Sequence, residues 1–222
     1  MISSYTKKIG RIDKDKSSKI IIEGIEAKTM EAITIPKGFK ITPEQFDILA
    51  EAEQLARMEL TKDGELIVMS PTGGEAGRRN FNLYIDLGNW NRQNKLGKAF
   101  DSSTIFTLPN GAKRSPDVSW IKLDRWNSLT QKQKEGFPPL VPDFAIELVS
   151  PSDLKSQRYE DLQNKMQEYL DNGIRLSWLI EPVKKTVEIY RPNQNVEILN
   201  NPKTLSGEDV LPGFVLNLSE IF

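Results

Sequence analysis

From Thr42 onward, the apolar and polar positions fall into blocks whose period switches between helical and extended. Thr42-Pro43-Glu44-Gln45 offers a capping threonine, a proline at the first helical position and an acid in the first turn, and Phe46, Leu49 and Ala50 follow at helical spacing. A short helix is predicted there. Met58–Thr61 and Glu65–Met69 flank Lys62-Asp63-Gly64, where Asp-Gly supplies the positive φ of a tight hairpin turn. After Pro71-Thr72-Gly73-Gly74, the positions Leu83, Leu87 and Trp90 recur with polar residues between them, which predicts an amphipathic helix from Glu75 to about Asn94.

Thr104–Leu108 and Asp117–Ile121 are strand-like and separated by the turn signal Pro109-Asn110-Gly111. A polar link with a helix at about Leu129 to Glu135 leads to Pro138-Pro139. Phe144–Val149 then reads as a strand, Tyr159–Asn172 as a helix ended by Gly173, and Leu176–Ile180 as a second apolar strand. Val187–Tyr190 and Val196–Leu199 alternate as an outer hairpin does. This order predicts an α/β fold with a central mixed sheet flanked by helices, in which residues 144–180 form a strand-helix-strand crossover. Residues 1–40 read as an extension with a lysine-studded start and β-prone stretches at Lys19–Ile22 and Ala32–Ile35, ahead of a domain spanning 41–222.

Composition narrows the chemistry. The chain has 222 residues with 38% hydrophobic and 27% charged positions, enough for one sizeable core. No apolar run approaches the roughly 20 residues that cross a bilayer, so no membrane partner is expected and a cytoplasmic location is. With neither cysteine nor histidine, disulfides, thiolate or imidazole zinc sites and serine-histidine triads are excluded. The net charge of −1 gives no global basic field, but residues 76–135 hold eleven lysines and arginines against five acids. That local excess reads either as a solvated surface or as a face for nucleic acid.

Carboxylates and lysine remain for chemistry. In Phe144–Val149 the side chains alternate, so Phe144, Ile146 and Leu148 share one face while Ala145, Glu147 and Val149 share the other. Glu147 therefore stands among apolar neighbours, where an ionised carboxylate must be paired, hydrogen-bonded or coordinated. Asp117 follows Ser115-Pro116 at a strand start. Lys165 flanks the apolar stripe Tyr159, Leu162, Met166, Tyr169 and Leu170, close enough for its amine to reach the sheet. Each has a purely structural use: a turn cap for Asp117, a strand-end acid for Glu147, a snorkelling stem for Lys165. Glu75 suits a helix N-terminus through the dipole and could add a ligand. A carboxylate pair beside an ammonium fits a hard divalent cation, Mg²⁺ with Mn²⁺ as substitute, and so phosphodiester hydrolysis.

Met69-Ser70-Pro71-Thr72-Gly73-Gly74-Glu75, Ser115-Pro116-Asp117, Ile146–Ser152 and Lys165-Met166-Gln167-Glu168-Tyr169 together resemble the Uma-type family of restriction-endonuclease-like proteins, within the PD-(D/E)XK nuclease superfamily. The resemblance covers roughly residues 41–192. It implies a restriction-endonuclease-like core, a Mg²⁺ site with Asp117 and Glu147 as the motif acids, and Glu75 as the acid from the first core helix. Val149 stands where the superfamily signature has lysine, and the resemblance implies that Lys165 on the following helix replaces it. Nucleic acid, with DNA foremost, is then the expected partner, and a homodimer the expected assembly. The leading expectation is a metal-dependent endonuclease. The alternative is a catalytically inactive nuclease-like module that binds nucleic acid or protein.

Overall fold

The computed structural model describes residues 38–53, 56–151, 153–154 and 158–222, so the β-prone stretches at 19–22 and 32–35 lie outside the described residues. Helix α1 (Pro43–Ala52) begins where expected, with Thr42 and Gln45 forming a reciprocal capping box. Strands β1 (Arg57–Leu60) and β2 (Leu66–Met69) form the predicted antiparallel hairpin. Gly64 takes φ +84° in its turn, and an added Cβ would lie 2.8 Å from the Ile41 carbonyl oxygen, so glycine is required on both counts. Helix α2 (Gly74–Asn94) follows, then β3 (Gly97–Asp101), β4 (Phe106–Thr107), β5 (Lys113–Arg114) and β6 (Val118–Lys122). Two short helices, α3 (Leu123–Asn127) and α4 (Gln131–Glu135), lead to β7 (Phe144–Leu148), α5 (Arg158–Asp171) and β8 (Leu176–Glu181). The chain continues through β9 (Thr186–Tyr190), β10 (Glu197–Asn200), β11 (Thr204–Ser206) and β12 (Val215–Asn217) to a 3₁₀ turn at Leu218–Glu220.

Six strands make the central mixed sheet in the order β10-β9-β8-β7-β6-β3, with β7 and β8 parallel across the α5 crossover and the other neighbours antiparallel. A second antiparallel sheet, β2-β1-β5-β4, carries the N-terminal hairpin. Phe106–Thr107 and Val118–Lys122 thus belong to different sheets, because the Pro109–Gly111 turn returns the chain onto β5 rather than onto β6. Strand β3 and helix α3 escape the sequence pattern. Gly97-Lys98-Ala99-Phe100-Asp101 has no β-branched residue, yet it pairs along all of β6; at Gly97 a Cβ would fall 2.2 Å from the Ile121 carbonyl oxygen.

The two faces of β7 enter two cores, as its alternation requires. Phe144, Ile146 and Leu148 pack with Leu83, Leu87 and Trp90 of α2, with Trp178, and with Phe214 and Leu216 near the C-terminus. Trp178 stacks on Phe214 at 6.2 Å and Phe144 meets Trp178 edge-on at 4.7 Å. Truncating Trp178 to alanine is expected to cost about 3–5 kcal/mol. Ala145 and Val149 join the opposite core with Met166 and Tyr169 of α5. Among the described residues no helix is long and apolar enough to cross a membrane.

Candidate active site

The antiparallel register of β6 and β7 sets Val118 opposite Ile146 and Ser119 opposite Ala145. One step further along the same register, Asp117 falls opposite Glu147, on the face covered by α5. The Leu148 amide donates to Asp117 Oδ2 at 2.9 Å, tying the aspartate to the strand that carries the glutamate. Like charges facing each other across strands repel, and Glu147 shows it. Burial, reinforced by Asp117 and Glu59, pushes the Glu147 carboxyl up to about 7 against the pull of Lys165. Burial likewise raises Asp117, opposed by the Leu148 amide and by Lys165.

Helix α5 delivers the cation. Its apolar stripe docks Met166 and Tyr169 on the sheet, which carries Lys165 inward until it is 8% exposed. The ammonium lies 2.8 Å from Glu147 Oε1 and 2.8 Å from Glu59 Oε1, and one turn on the Tyr169 hydroxyl donates to Glu147 Oε1 at 2.9 Å. Burial works against the charge on Lys165, but Glu147 and Glu59 outweigh it and hold its pKa above the ordinary value. Glu59 reaches in from β1 of the second sheet. It accepts from the Ser115 amide at 2.8 Å and pairs with Arg114 at 3.1 Å, and Arg114 pairs in turn with Glu168 of α5 at 2.5 Å. Lys165 and Arg114 overcome the burial of Glu59 and keep it ionised. Charges of alternating sign therefore run Glu147, Lys165, Glu59, Arg114, Glu168 across both sheets and α5.

Asp117, Glu147 and Lys165 are thus brought together, and Glu75 is not. Glu75 sits exposed in the first turn of α2, 2.7 Å from Arg78 and 3.3 Å from Arg79. From that helix Asn80 reaches Asp117 instead, with Nδ2 3.4 Å from Oδ1. Glu59, Arg114, Tyr169 and Asn80 went unforeseen. Glu59 looks outward-facing by hairpin alternation, and it is the side chains of Lys165 from α5 and Arg114 from β5 that close over it. Arg114 hid in the basic segment 76–135, whose excess is less free than it reads: Lys113 and Arg114 are buried against Asp47, Glu59 and Glu168, and Arg78 and Arg79 pair with Glu75.

Among the described residues no three acidic, histidine or cysteine side chains converge as a metal cage. The donor set still fits a hard divalent ion. Asp117 and Glu147 would offer such an ion neighbouring carboxylate oxygens, and the burial that disfavours charge on both is a cost that a cation would offset.

A family model described as "Putative restriction endonuclease", Uma2, matches residues 43–219. No curated protein sequence matches the chain. Among solved structures, that of a "putative nuclease belonging to DUF820" from Anabaena variabilis is 22% identical to this chain and superposes with a TM-score of 0.67 over 82% of this chain and 97% of its own. At that identity the likeness shows a common fold, restriction-endonuclease-like. The family match extends over most of the chain and takes in Asp117, Glu147 and Lys165. The protein accordingly belongs to the Uma2 family of nuclease-like proteins, described as putative restriction endonucleases.

Proposed function

We propose that the protein is a divalent-metal-dependent endonuclease that hydrolyses phosphodiester bonds of nucleic acid, with DNA the foremost substrate. The observation that carries this reading is the buried ammonium of Lys165, 2.8 Å from Glu147, beside the apposed Asp117. Family membership supports the same direction. In this reading Asp117 and Glu147 hold Mg²⁺ or Mn²⁺, which when bound supplies Lewis acidity and an acidified water.

The chain's own groups do the positioning. Tyr169 fixes Glu147 by a hydrogen bond to Oε1, leaving Oε2 for the ion. Glu59 holds Lys165 as a second carboxylate partner, so the ammonium is fixed where it can orient the attacking water and offset charge growing on the phosphate oxygens. Water adds to phosphorus as the bond from phosphorus to the bridging oxygen breaks, and that oxygen leaves with a proton.

The test is cleavage of mixed single- and double-stranded DNA and RNA with Mg²⁺ or Mn²⁺, comparing wild type with Glu147→Ala and Lys165→Ala. Metal-dependent cleavage lost in both variants is the expected result. Cleavage retained by either removes that residue from the site. One observation favours the alternative of a binding module without turnover: Lys165 is already shared by two carboxylates. Salt-sensitive nucleic-acid binding with no cleavage by the wild type is what that alternative requires.

A further inference from the structure

Asn80 lies on the buried side of α2, 9% exposed, and its amide is only half used. Nδ2 points at Asp117 Oδ1, the orientation in which the amide donates to the carboxyl oxygen. The other end, Oδ1, is sealed from solvent and accepts from no group in the structure. A buried acceptor without a donor is rare in native proteins, and a water or an ion is one partner that would satisfy it. The sealed hydroxyls of Ser119 and Ser177 are also unpartnered, but they lie one row deeper in the sheet, on either side of Ala145.

Asp117 and Glu147 alone are a sparse cage. Among the described residues no third acid joins them, and the oxygens of Glu59 are taken by Lys165, Arg114 and the Ser115 amide. A third carboxylate would add negative charge where burial already disfavours it, whereas a neutral amide oxygen adds a ligating or accepting atom without charge. We propose that Asn80 is the third protein group of the cation site: its Oδ1 accepts a hydrogen bond from a water carried by the divalent ion, and its Nδ2 keeps Asp117 turned towards that ion. This rests on the metal-dependent reading above and assigns to α2 the contribution that Glu75 does not make.

Calorimetric titration with Mn²⁺ alone tests it without any need for turnover, using wild type, Glu147→Gln, Asn80→Ala and Asn80→Asp. Asn80→Ala is expected to bind Mn²⁺ roughly 10- to 100-fold more weakly, the range for groups that support a metal's ligands, with little change in the metal-free denaturation midpoint. Asn80→Asp places a third acid at the site, so its metal-free midpoint falls while its Mn²⁺ affinity matches or exceeds wild type. A merely structural Asn80 moves the metal-free midpoint and leaves the affinity unchanged. If Glu147→Gln loses Mn²⁺ while Asn80→Ala binds it like wild type, the role of Asn80 is overturned and the metal site stands. If wild type binds no Mn²⁺, the site itself is overturned and Asn80 with it. Should Asn80→Ala fail to fold, Asn80→Leu, close to asparagine in size but without an acceptor, gives the same comparison.

Discussion

Glu147 and Glu188 lie in one row across the central sheet, on either side of Leu179, and both are buried beneath α5. Their surroundings differ in kind. Glu188 accepts from the Tyr159 hydroxyl at 2.7 Å and Gln163 Nε2 at 2.8 Å on one oxygen, and from the Tyr190 hydroxyl at 2.5 Å on the other. Neutral donors satisfy it, and no cation pairs with it among the described residues. Glu147 has an ammonium, one phenol and a second acid opposite it, so its two protonation states are closely balanced. A buried carboxylate ringed by neutral donors anchors a helix. One set between an ammonium and another carboxylate is poised to exchange partners, which is what a reacting site requires.

The sharpest way to break this contrast is to neutralise each acid in turn. Asp117→Asn or Glu147→Gln is expected to abolish Mn²⁺ binding and cleavage together, as read by titration and by gel. Next in size is Lys165→Met, which strands Glu59 and Glu147 as buried acids without their shared cation. Removing one partner of such a network costs about 3–5 kcal/mol, measurable by urea denaturation at neutral pH.

The pH dependence sharpens the contrast further. With its folded value near 7 and its ordinary value at 4.5, Glu147 keeps a proton in the folded state that the unfolded chain has released. Its contribution to stability is full below about pH 4.5 and is lost as pH rises through 7. The metal-free protein should therefore lose stability over that window, and Glu147→Gln should flatten the slope. Mn²⁺ displaces the same proton, so affinity should rise across the same range. Glu188→Gln comes lower, about 1–3 kcal/mol from disturbed donors around α5, with Mn²⁺ affinity intact. Last is Glu75→Ala, an exposed pair whose loss should leave both the denaturation midpoint and Mn²⁺ affinity at wild-type values.

Much of the fold was legible because period and punctuation agreed locally. Thr42-Pro43, Asp63-Gly64 and Gly173 mark ends that the structure honours, and alternation along Phe144–Val149 separates the two cores correctly. Strand β3 was not legible, since its pairing comes from β6 and from the space Gly97 leaves beside Trp120, neither of which is a local signal. The site divides the same way. Lys165 could be placed by helical phase, because phase decides which residues flank a buried stripe. Glu59 and Arg114 could not, because their partners lie 106 and 54 residues away in sequence, on α5, and only the docking of α5 between two sheets brings them together. Asn80 was legible by the same phase, three residues before Leu83 on the buried stripe of α2, whereas Glu75 lies in the exposed first turn; what phase could not supply is that Asp117 stands within reach of Asn80.

The most direct measurement is Mn²⁺ titration of wild type, Glu147→Gln and Glu188→Gln side by side. Wild type and Glu188→Gln are expected to bind Mn²⁺ and Glu147→Gln is not. Equal binding by all three, or loss on changing Glu188 alone, would contradict the assignment of Asp117, Glu147 and Lys165 as the chemical centre.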